Sequence, residues 1–135
     1  MGWHRAMNVL LDTHILLWLV STPSKIETSA LTVLSSPDSS VWVTAASAWE
    51  IGIKTRLGRL DGETLLSTWV ETVADMSTTE LPVESQDAIL AARLPWEHKD
   101  PFDRVIVAQA LRRNFTIATR DARILKAALT PTLQA

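Results

Sequence analysis

Short apolar runs alternate along this chain with stretches of helical periodicity. Residues 8–11 are mainly apolar and end at Asp12, a pattern typical of a buried central strand. Residues 13–20 are apolar on most faces of a helix. The same reasoning predicts strands over residues 41–44, 79–83 and 115–119, and helices from Ser24 and Pro101 and over 45–56, 63–74, 85–94 and 122–129. Strands alternating with helices indicate an α/β fold with a parallel sheet covered on both faces.

Local signals refine three of these elements. Ser24 and Glu27 have the spacing of a capping box, so we expect a helix to begin there. In the helix over 45–56, Trp49 falls on one side with Ala46 and Ile53, and Glu50 faces away from it. Pro82 makes the strand over 79–83 an expected edge strand, because proline cannot donate to a ladder.

The segment over residues 98–110 organises the rest of the chain. Pro101 suits the first position of a helix, Asp100 can cap it, and Asp103 lies in its first turn. The following residues to position 111 are almost wholly apolar, so the helix is expected to be buried. A carboxylate at the head of a buried helix is costly unless N–H groups, a cation or a metal compensates it. Taken alone, Asp100 and Asp103 are better explained as helix caps than as site residues.

Composition limits the classes of protein that fit. The 135 residues suit one domain, and a hydrophobic content of 47% is enough for a real core. No cysteine is present, which excludes disulfides and thiolate ligands and fits the cytoplasm. The net charge is −2 without a polybasic tail, so a nucleic-acid site must be local. The interrupted apolar run over 9–20 predicts neither export nor a membrane span, and residues 1–6 read as an N-terminal extension before a domain over 7–135.

Three acids follow predicted strands or lie in the helices after them, where open parallel sheets gather ligands: Asp12, Glu50 and Asp121. Asp12 and Asp121 also suit helix caps, and Glu50 can pair with Lys54 on a helix surface. Together with Asp103 they form a set that capping explains less well. Four carboxylates in one pocket would repel unless divalent cations neutralised them, and all-oxygen ligation favours Mg²⁺ or Mn²⁺. Such a site can hydrolyse a phosphodiester without a nucleophilic side chain.

Four motifs resemble those of PIN-domain ribonucleases of the VapC toxin type. They are LLDTH at 10–14, SAWEI at 47–51, HKDPFDR at 98–104 and ATRD at 118–121. The resemblance runs from about residue 7 to the last helix. It implies that the metal-binding and catalytic acids are Asp12, Glu50, Asp103 and Asp121, with Thr119 and Asp100 supporting them.

The same resemblance implies a three-layer α/β/α fold, Mg²⁺ or Mn²⁺ as cofactor, an RNA substrate, a homodimer and a cognate antitoxin. His14 and His98 are read as structural residues or neighbours of the substrate. The cations that flank the acidic motifs are candidates to bind RNA phosphates, or else form a solvated rim: Lys54, Arg56, Lys99, Arg104 and Arg120. A phosphatase-type α/β domain fits less well, because position 14 is histidine where a second acid is needed. A non-cleaving PIN-like module that binds RNA or protein is the alternative.

Six tryptophans are more than one core of this size needs. Trp42 and Trp49 are expected to pack internally or lie singly on the surface. Some of the others, such as Trp18, Trp69 and Trp96, are expected to remain accessible on the monomer and to serve a homodimer contact and an antitoxin groove.

Overall fold

Five strands form a single parallel sheet in the part of the chain that the structure describes. This computed structural model describes residues 7–135, and the predicted extension over 1–6 lies outside them. The strands are β1 (Met7–Leu11), β2 (Ser39–Thr44), β3 (Thr79–Leu81), β4 (Thr116–Thr119) and β5 (Thr132–Gln134). The helices are α1 (Thr13–Ser21), α2 (Thr28–Ser35), α3 (Ala45–Arg56), α4 (Glu63–Ser67), α5 (Trp69–Asp75), α6 (Ser85–Arg93), α7 (Pro101–Arg113) and α8 (Ala122–Ala127), with a 3₁₀ turn over Pro23–Lys25.

The strand order is β3-β2-β1-β4-β5, and every neighbouring pair is parallel. β1 is therefore the central strand, between β2 and β4. The carboxyl ends of these three strands meet at one edge of the sheet, where ligands bind in open α/β folds. The parallel sheet and the edge position of the strand predicted over 79–83 are confirmed, although β3 ends at Leu81, before Pro82.

Alternate side chains of β1 enter two different cores. Val9 and Leu11 pack in one cluster with buried residues of α1 to α5, whereas Leu10 packs in the other with α6, α7 and α8. Ala118 and Ile117 divide β4 in the same way. This alternation follows from the two-residue period of a strand. It gives helices on both faces of the sheet, so the predicted three-layer α/β/α fold is confirmed.

The predicted helix start at Ser24 is wrong. Ser24 lies in the 3₁₀ turn that Pro23 opens, and α2 begins only at Thr28. Glu27 precedes α2 without a side-chain cap, and its backbone N–H donates to the carbonyl of Ala135 at 2.9 Å. A contact with the far end of the chain therefore decides this boundary.

The prediction of a single helix over 63–74 is also wrong, because the helix is interrupted at Thr68, between α4 and α5. The Thr68 hydroxyl donates to the carbonyl of Thr64 at 2.8 Å, a back-bond that often bends helices. Leu65 and Val73 are buried on either side of the break.

The chain after β4 also departs from the prediction. α8 ends at Ala127 rather than 129, since Ala128 has a φ of 47°. β5 was missed, because its three residues carry no periodicity of their own. Within residues 7–135, no helix has the length and apolarity needed to cross a membrane.

Candidate active site

Asp12 lies where the central strand β1 ends. One of its oxygens accepts a hydrogen bond from the backbone N–H of Ile15 at 2.9 Å, so it caps α1 as capping rules predict. The other oxygen accepts from the hydroxyl of Thr119, at the end of β4. The side chain is only 5% exposed. Burial raises the pKa of Asp12 above its ordinary value, although both hydrogen bonds oppose the shift.

Thr119 forms hydrogen bonds with both Asp12 and Asp121, the first and last of the predicted acids along the chain. Its fully buried side chain donates to Asp12, and the same hydroxyl oxygen accepts from the backbone N–H of Asp121 at 3.0 Å. Asp121 in turn caps α8 through the N–H of Arg123 at 2.8 Å. The negative charge of Asp121 also contributes to the raised pKa of Asp12. These two acids are therefore held close together at the ends of adjacent strands.

Asp121 differs from Asp12 in having a cation beside it. Burial alone would raise its pKa, but hydrogen bonds from the side chain and backbone of Arg123 outweigh burial and hold the pKa below its ordinary value. The guanidinium of Arg123 lies 3.2 Å from a carboxylate oxygen. Sequence reasoning missed Arg123, although its place two residues after an acidic cap was a usable signal.

A second group of polar side chains lies at the start of α7. Asp100 caps the helix, accepting from the N–H groups of Phe102 at 2.9 Å and Asp103 at 3.1 Å. His98 Nε2 lies 2.7 Å from Asp103 Oδ2. One ligand atom each of His98, Asp100 and Asp103 lies within 4.8 Å of the other two. Asp100 thus acts as the cap that the sequence predicts and also belongs to a group able to hold a metal.

The electrostatics of Asp103 connect this group with the end of β4. Burial raises the pKa of Asp103 to about 6, the repulsion from Asp100 and Asp121 adds to the rise, and the hydrogen bond with His98 opposes it. Since Asp121 also repels Asp12, the charges of these three aspartates act on one another.

Glu50 approaches the end of β1 from α3. It is 5% exposed and accepts a hydrogen bond from the hydroxyl of Thr13, the neighbour of Asp12, at 2.6 Å. The hydroxyls of Thr13 and Ser47 are 2.8 Å apart, and Lys54 Nζ lies 2.5 Å from the other carboxylate oxygen of Glu50. The approach of all four carboxylates to within about 10 Å stays a prediction.

The exposed face of α3 carries Trp49. Its side chain is 65% exposed and meets Phe102 edge to face at 5.2 Å. Ile51, not Ile53, is buried beside Glu50 and Ala46. Trp49 and Ala46 line the same small pocket, which agrees with their predicted place on one side of α3, and the exposure of Trp49 fits the surface alternative left open for it.

A PIN domain family model matches residues 9–129 of the chain. This chain belongs to the PIN domain family. A protein named Ribonuclease VapC22, from Mycobacterium tuberculosis (strain ATCC 25618 / H37Rv), is 26% identical over 117 residues, which cover 86% of this chain and 88% of that protein.

Solved structures share the architecture of this PIN domain. VapBC2 from Rickettsia felis, bound to a DNA fragment from their promoter, matches with a TM-score of 0.68 at 12% identity over 94% of this chain and 98% of that chain. FitAcB from Neisseria gonorrhoeae matches with a TM-score of 0.66 at 22% identity over 93% of this chain and 96% of that one. At these identities the likeness establishes the fold.

Two of the predicted RNA-binding cations of this PIN domain have structural roles. The guanidinium of Arg104 donates to four backbone carbonyls at 2.7–2.9 Å, those of Ala91, Leu94, Trp96 and His98. A guanidinium has five N–H donors, so these four bonds leave few donors of Arg104 for a phosphate. Arg120 donates to the carbonyls of Lys25 and Ala135, and its guanidinium lies 4.7 Å from the ring centre of Trp18. These contacts favour a structural role for both residues, and their assignment to RNA stays a prediction, above all for the exposed Arg120.

The other predicted cations differ in their surroundings. Lys54 is paired with Glu50, whereas Arg56 and Lys99 are exposed. His14 is exposed and lies edge-on to Trp18 at 6.0 Å. His98, in contrast, contacts both Asp103 and the ring of Trp96, whose centre is 4.9 Å away. His98 therefore contacts one of the acids directly, whereas His14 lines a pocket together with Thr13 and Glu50.

Proposed function

We propose that this PIN domain is a metal-dependent endoribonuclease and the toxin of a toxin–antitoxin pair. The observation that carries the proposal is the hydrogen-bonded chain Asp12–Thr119–Asp121, together with the repulsion that Asp121 exerts on Asp103. Buried acids that raise one another's pKa are costly unless a cation is bound, and they are typical of functional sites. Its similarity to Ribonuclease VapC22 supports RNA as the substrate.

The donors present fit a hard divalent cation. We propose that Asp12, Glu50, Asp103 and Asp121 hold Mg²⁺ or Mn²⁺, with Asp100 supporting them. The close approach of ligand atoms of His98, Asp100 and Asp103 supports a cation at the start of α7. When bound, the metal would activate water and stabilise charge on the phosphate during hydrolysis of the RNA chain.

The residues around the acids fix their orientation. Thr119 holds one oxygen of Asp12 and the backbone of Asp121, which leaves the Asp121 side chain to cap α8 and pair with Arg123. Thr13 directs Glu50 towards the end of β1, and His98 directs Asp103. Catalytic groups need such support, because small displacements of a reacting group are costly.

The phosphate backbone requires cations near these acids. We propose Arg56 and Lys99, which are exposed, and Lys54, whose ammonium would exchange Glu50 for a phosphate once a metal neutralises Glu50. Arg123 joins them as an exposed cation beside Asp121.

The biological role extends this proposal. Structural neighbours include the VapBC complexes of Rickettsia felis and Salmonella typhimurium, both solved with DNA, and the latter matches with a TM-score of 0.67 at 16% identity over 94% of this chain and 97% of that one. We propose a cognate antitoxin, a homodimer and a cytoplasmic location for this chain. A short neighbouring gene for a DNA-binding protein would support the pairing with an antitoxin.

The association with a second copy and with the antitoxin is tested in solution. Size-exclusion chromatography at micromolar protein concentration measures the oligomeric state, and tryptophan emission recorded as the antitoxin is added measures its binding. A monomer with unchanged emission would contradict both expected contacts.

The nuclease activity is tested with purified protein and single-stranded RNA. Cleavage is expected with Mg²⁺ or Mn²⁺, to stop with a chelator and to return when the metal is restored. Asp121→Asn should lose it, while Asp75→Asn, which changes an exposed acid at the end of α5, should keep it. RNA binding without cleavage under every metal condition would instead favour a non-cleaving binding module.

A further inference from the structure

An open cleft of about 590 Å³ lies directly beside the proposed active site. One wall is the loop over residues 95–98, between α6 and α7. The opposite wall is α8 and the residues after it, with Arg123, Lys126 and Leu129 lining the cleft. Its volume is within the range of roughly 300–1,000 Å³ that is typical of small-ligand sites.

Two residues of the cleft are shared with the acids. His98 lines it and contacts Asp103 at 2.7 Å, and Arg123 lines it and pairs with Asp121 at 3.2 Å. An RNA strand bound across the acids would therefore reach this cleft about one nucleotide away from the bond to be cleaved.

The lining combines an aromatic ring with two cations, opposed by a single exposed acid, Glu97. Trp96 is half-buried, and its ring is supported by His98 at a centre-to-centre distance of 4.9 Å. Arg123 and Lys126 are exposed on the opposite wall. An aromatic ring provides a stacking surface for any base, and basic side chains attract the phosphate next to it.

We propose that this cleft is a subsite for one nucleotide of single-stranded RNA. The base stacks on Trp96 and a neighbouring phosphate pairs with Lys126, with Arg123 reaching either that phosphate or Asp121. This assignment rests on the proposed ribonuclease function, and it adds Trp96, Arg123 and Lys126 to the substrate contacts that the sequence indicates.

The loop that carries Trp96 is held rigidly, which suits a stacking platform. Arg104 donates to the carbonyls of Leu94, Trp96 and His98 at 2.7–2.9 Å, so one guanidinium secures the loop on both sides of the ring. A ring held in place before binding loses less conformational freedom when a base stacks on it.

The first test measures binding of a labelled pool of random RNA octamers by fluorescence anisotropy, without divalent ions so that cleavage does not proceed. Trp96→Leu should weaken binding roughly ten-fold, since stacking is a large contribution per base, and Trp96→Phe should retain most of it. Lys126→Gln should weaken binding by a few fold and reduce the slope of log K against log salt by about 0.7, the value for one phosphate contact on a single strand. Trp69→Leu is the matched control. Trp69 is also half-buried, but it does not line the cleft, and its indole N–H donates to a carboxylate oxygen of Glu80 at 2.6 Å.

The second test observes the ring itself. In the ¹H–¹⁵N spectrum of the whole protein, the indole signal of Trp96, assigned with Trp96→Phe, should move when uridine or adenosine 5′-monophosphate is added. Ribose 5-phosphate should move it much less, and the signal of Trp69 should stay in place. An unmoved Trp96 signal, or an equal shift with ribose 5-phosphate, would overturn the stacking assignment.

The remaining outcomes separate the subsite from the nuclease proposal. If wild-type protein cleaves RNA and the Trp96 and Lys126 variants bind it like wild type, the subsite is wrong and the nuclease assignment stands. If wild type neither binds nor cleaves RNA, both fail. If Trp96→Leu loses its antitoxin while keeping RNA affinity, the cleft is a protein-binding site and the nucleotide assignment is overturned.

Discussion

The hydroxyl of Thr119 donates a hydrogen bond to the carboxylate of Asp12, 107 residues earlier in the chain. The bond joins the ends of β4 and β1, which are neighbours in the sheet. The same oxygen accepts the backbone N–H of Asp121 at 3.0 Å. One buried side chain therefore sets the relative positions of two acids that the sequence singles out.

Thr119→Val should weaken both the fold and the site. Valine has the shape of threonine but leaves a buried carboxylate oxygen and a backbone N–H without this partner, which costs about 1–3 kcal/mol of unfolding free energy. Urea denaturation measures that loss, and calorimetric titration with Mn²⁺ should show weaker metal binding. Thr119→Ser should restore most of both. Full metal affinity in the valine variant would contradict the positioning role.

Asp12→Asn should abolish RNA cleavage, because the proposed metal site loses one of its charged oxygen ligands. Its stability without metal should be unchanged or higher. Because burial raises the pKa of Asp12, the charged form disfavours the folded state at neutral pH, and asparagine removes that charge. Its single carbonyl oxygen can still accept from the N–H of Ile15, while its NH₂ group can donate to the hydroxyl oxygen of Thr119 in place of the lost bond. Thermal melting near pH 7 with a chelator measures this effect. Loss of the cooperative transition would show that Asp12 is mainly structural.

Asp87 should make stability depend on pH. Its fully buried carboxylate lies 2.6 Å from Arg112 and 2.9 Å from Arg113. Burial alone would raise the pKa of Asp87, but the hydrogen bonds from Arg113, the backbone of Glu84 and Arg112 outweigh burial and hold it below its ordinary value. The stabilisation is therefore complete above the unfolded-state pKa of about 3.9 and is lost as the pH falls through the lower folded-state pKa.

Asp87→Asn should accordingly lower the unfolding free energy by about 3–5 kcal/mol at pH 7, the usual cost of breaking a buried ion pair. The difference from wild type should begin to shrink below about pH 4, where the carboxylate of the unfolded chain takes up a proton, and should vanish only as the pH falls through the lower folded-state pKa. Urea unfolding at pH 7, 5 and 3 measures it. Glu84→Gln is the control, since the Glu84 side chain is 58% exposed and should contribute under about 1 kcal/mol. A constant difference at all three pH values would contradict the ionic explanation.

Arg104→Lys should destabilise the protein by about 2–3 kcal/mol, because an ammonium cannot reproduce a planar fork bonded to four carbonyls. The salt dependence of RNA binding should be unchanged, since the charge remains and Arg104 does not contact phosphate. Lys99→Gln should show the opposite pattern, with stability within about 0.5 kcal/mol of wild type and a flatter salt dependence. An Arg104→Lys variant that keeps full stability would return Arg104 to the RNA-binding set.

The local sequence determined most of the secondary structure of this protein. The apolar run before Asp12, the Asp100-Pro101 start of α7 and the acid before α8 predict their strand or caps correctly, because each depends on residues within a turn or two. The parallel sheet followed from the alternation of strands and helices. Asp12 and Asp121 follow the adjacent strands β1 and β4 as expected, and Glu50 contacts Thr13 just after β1.

Tertiary structure decided the partners of these residues. Periodicity shows that α3 has two faces, but only contacts with the start of α1 determine that Glu50 is buried and Trp49 exposed. β5 exists through its pairing with β4, and Arg104 bonds to the last turn of α6 and to the loop after it, which fold around its guanidinium. Each of these outcomes depends on groups distant in sequence or on a loop without periodicity, so the free energy that selects them comes from packing and desolvation in the assembled fold rather than from local preference.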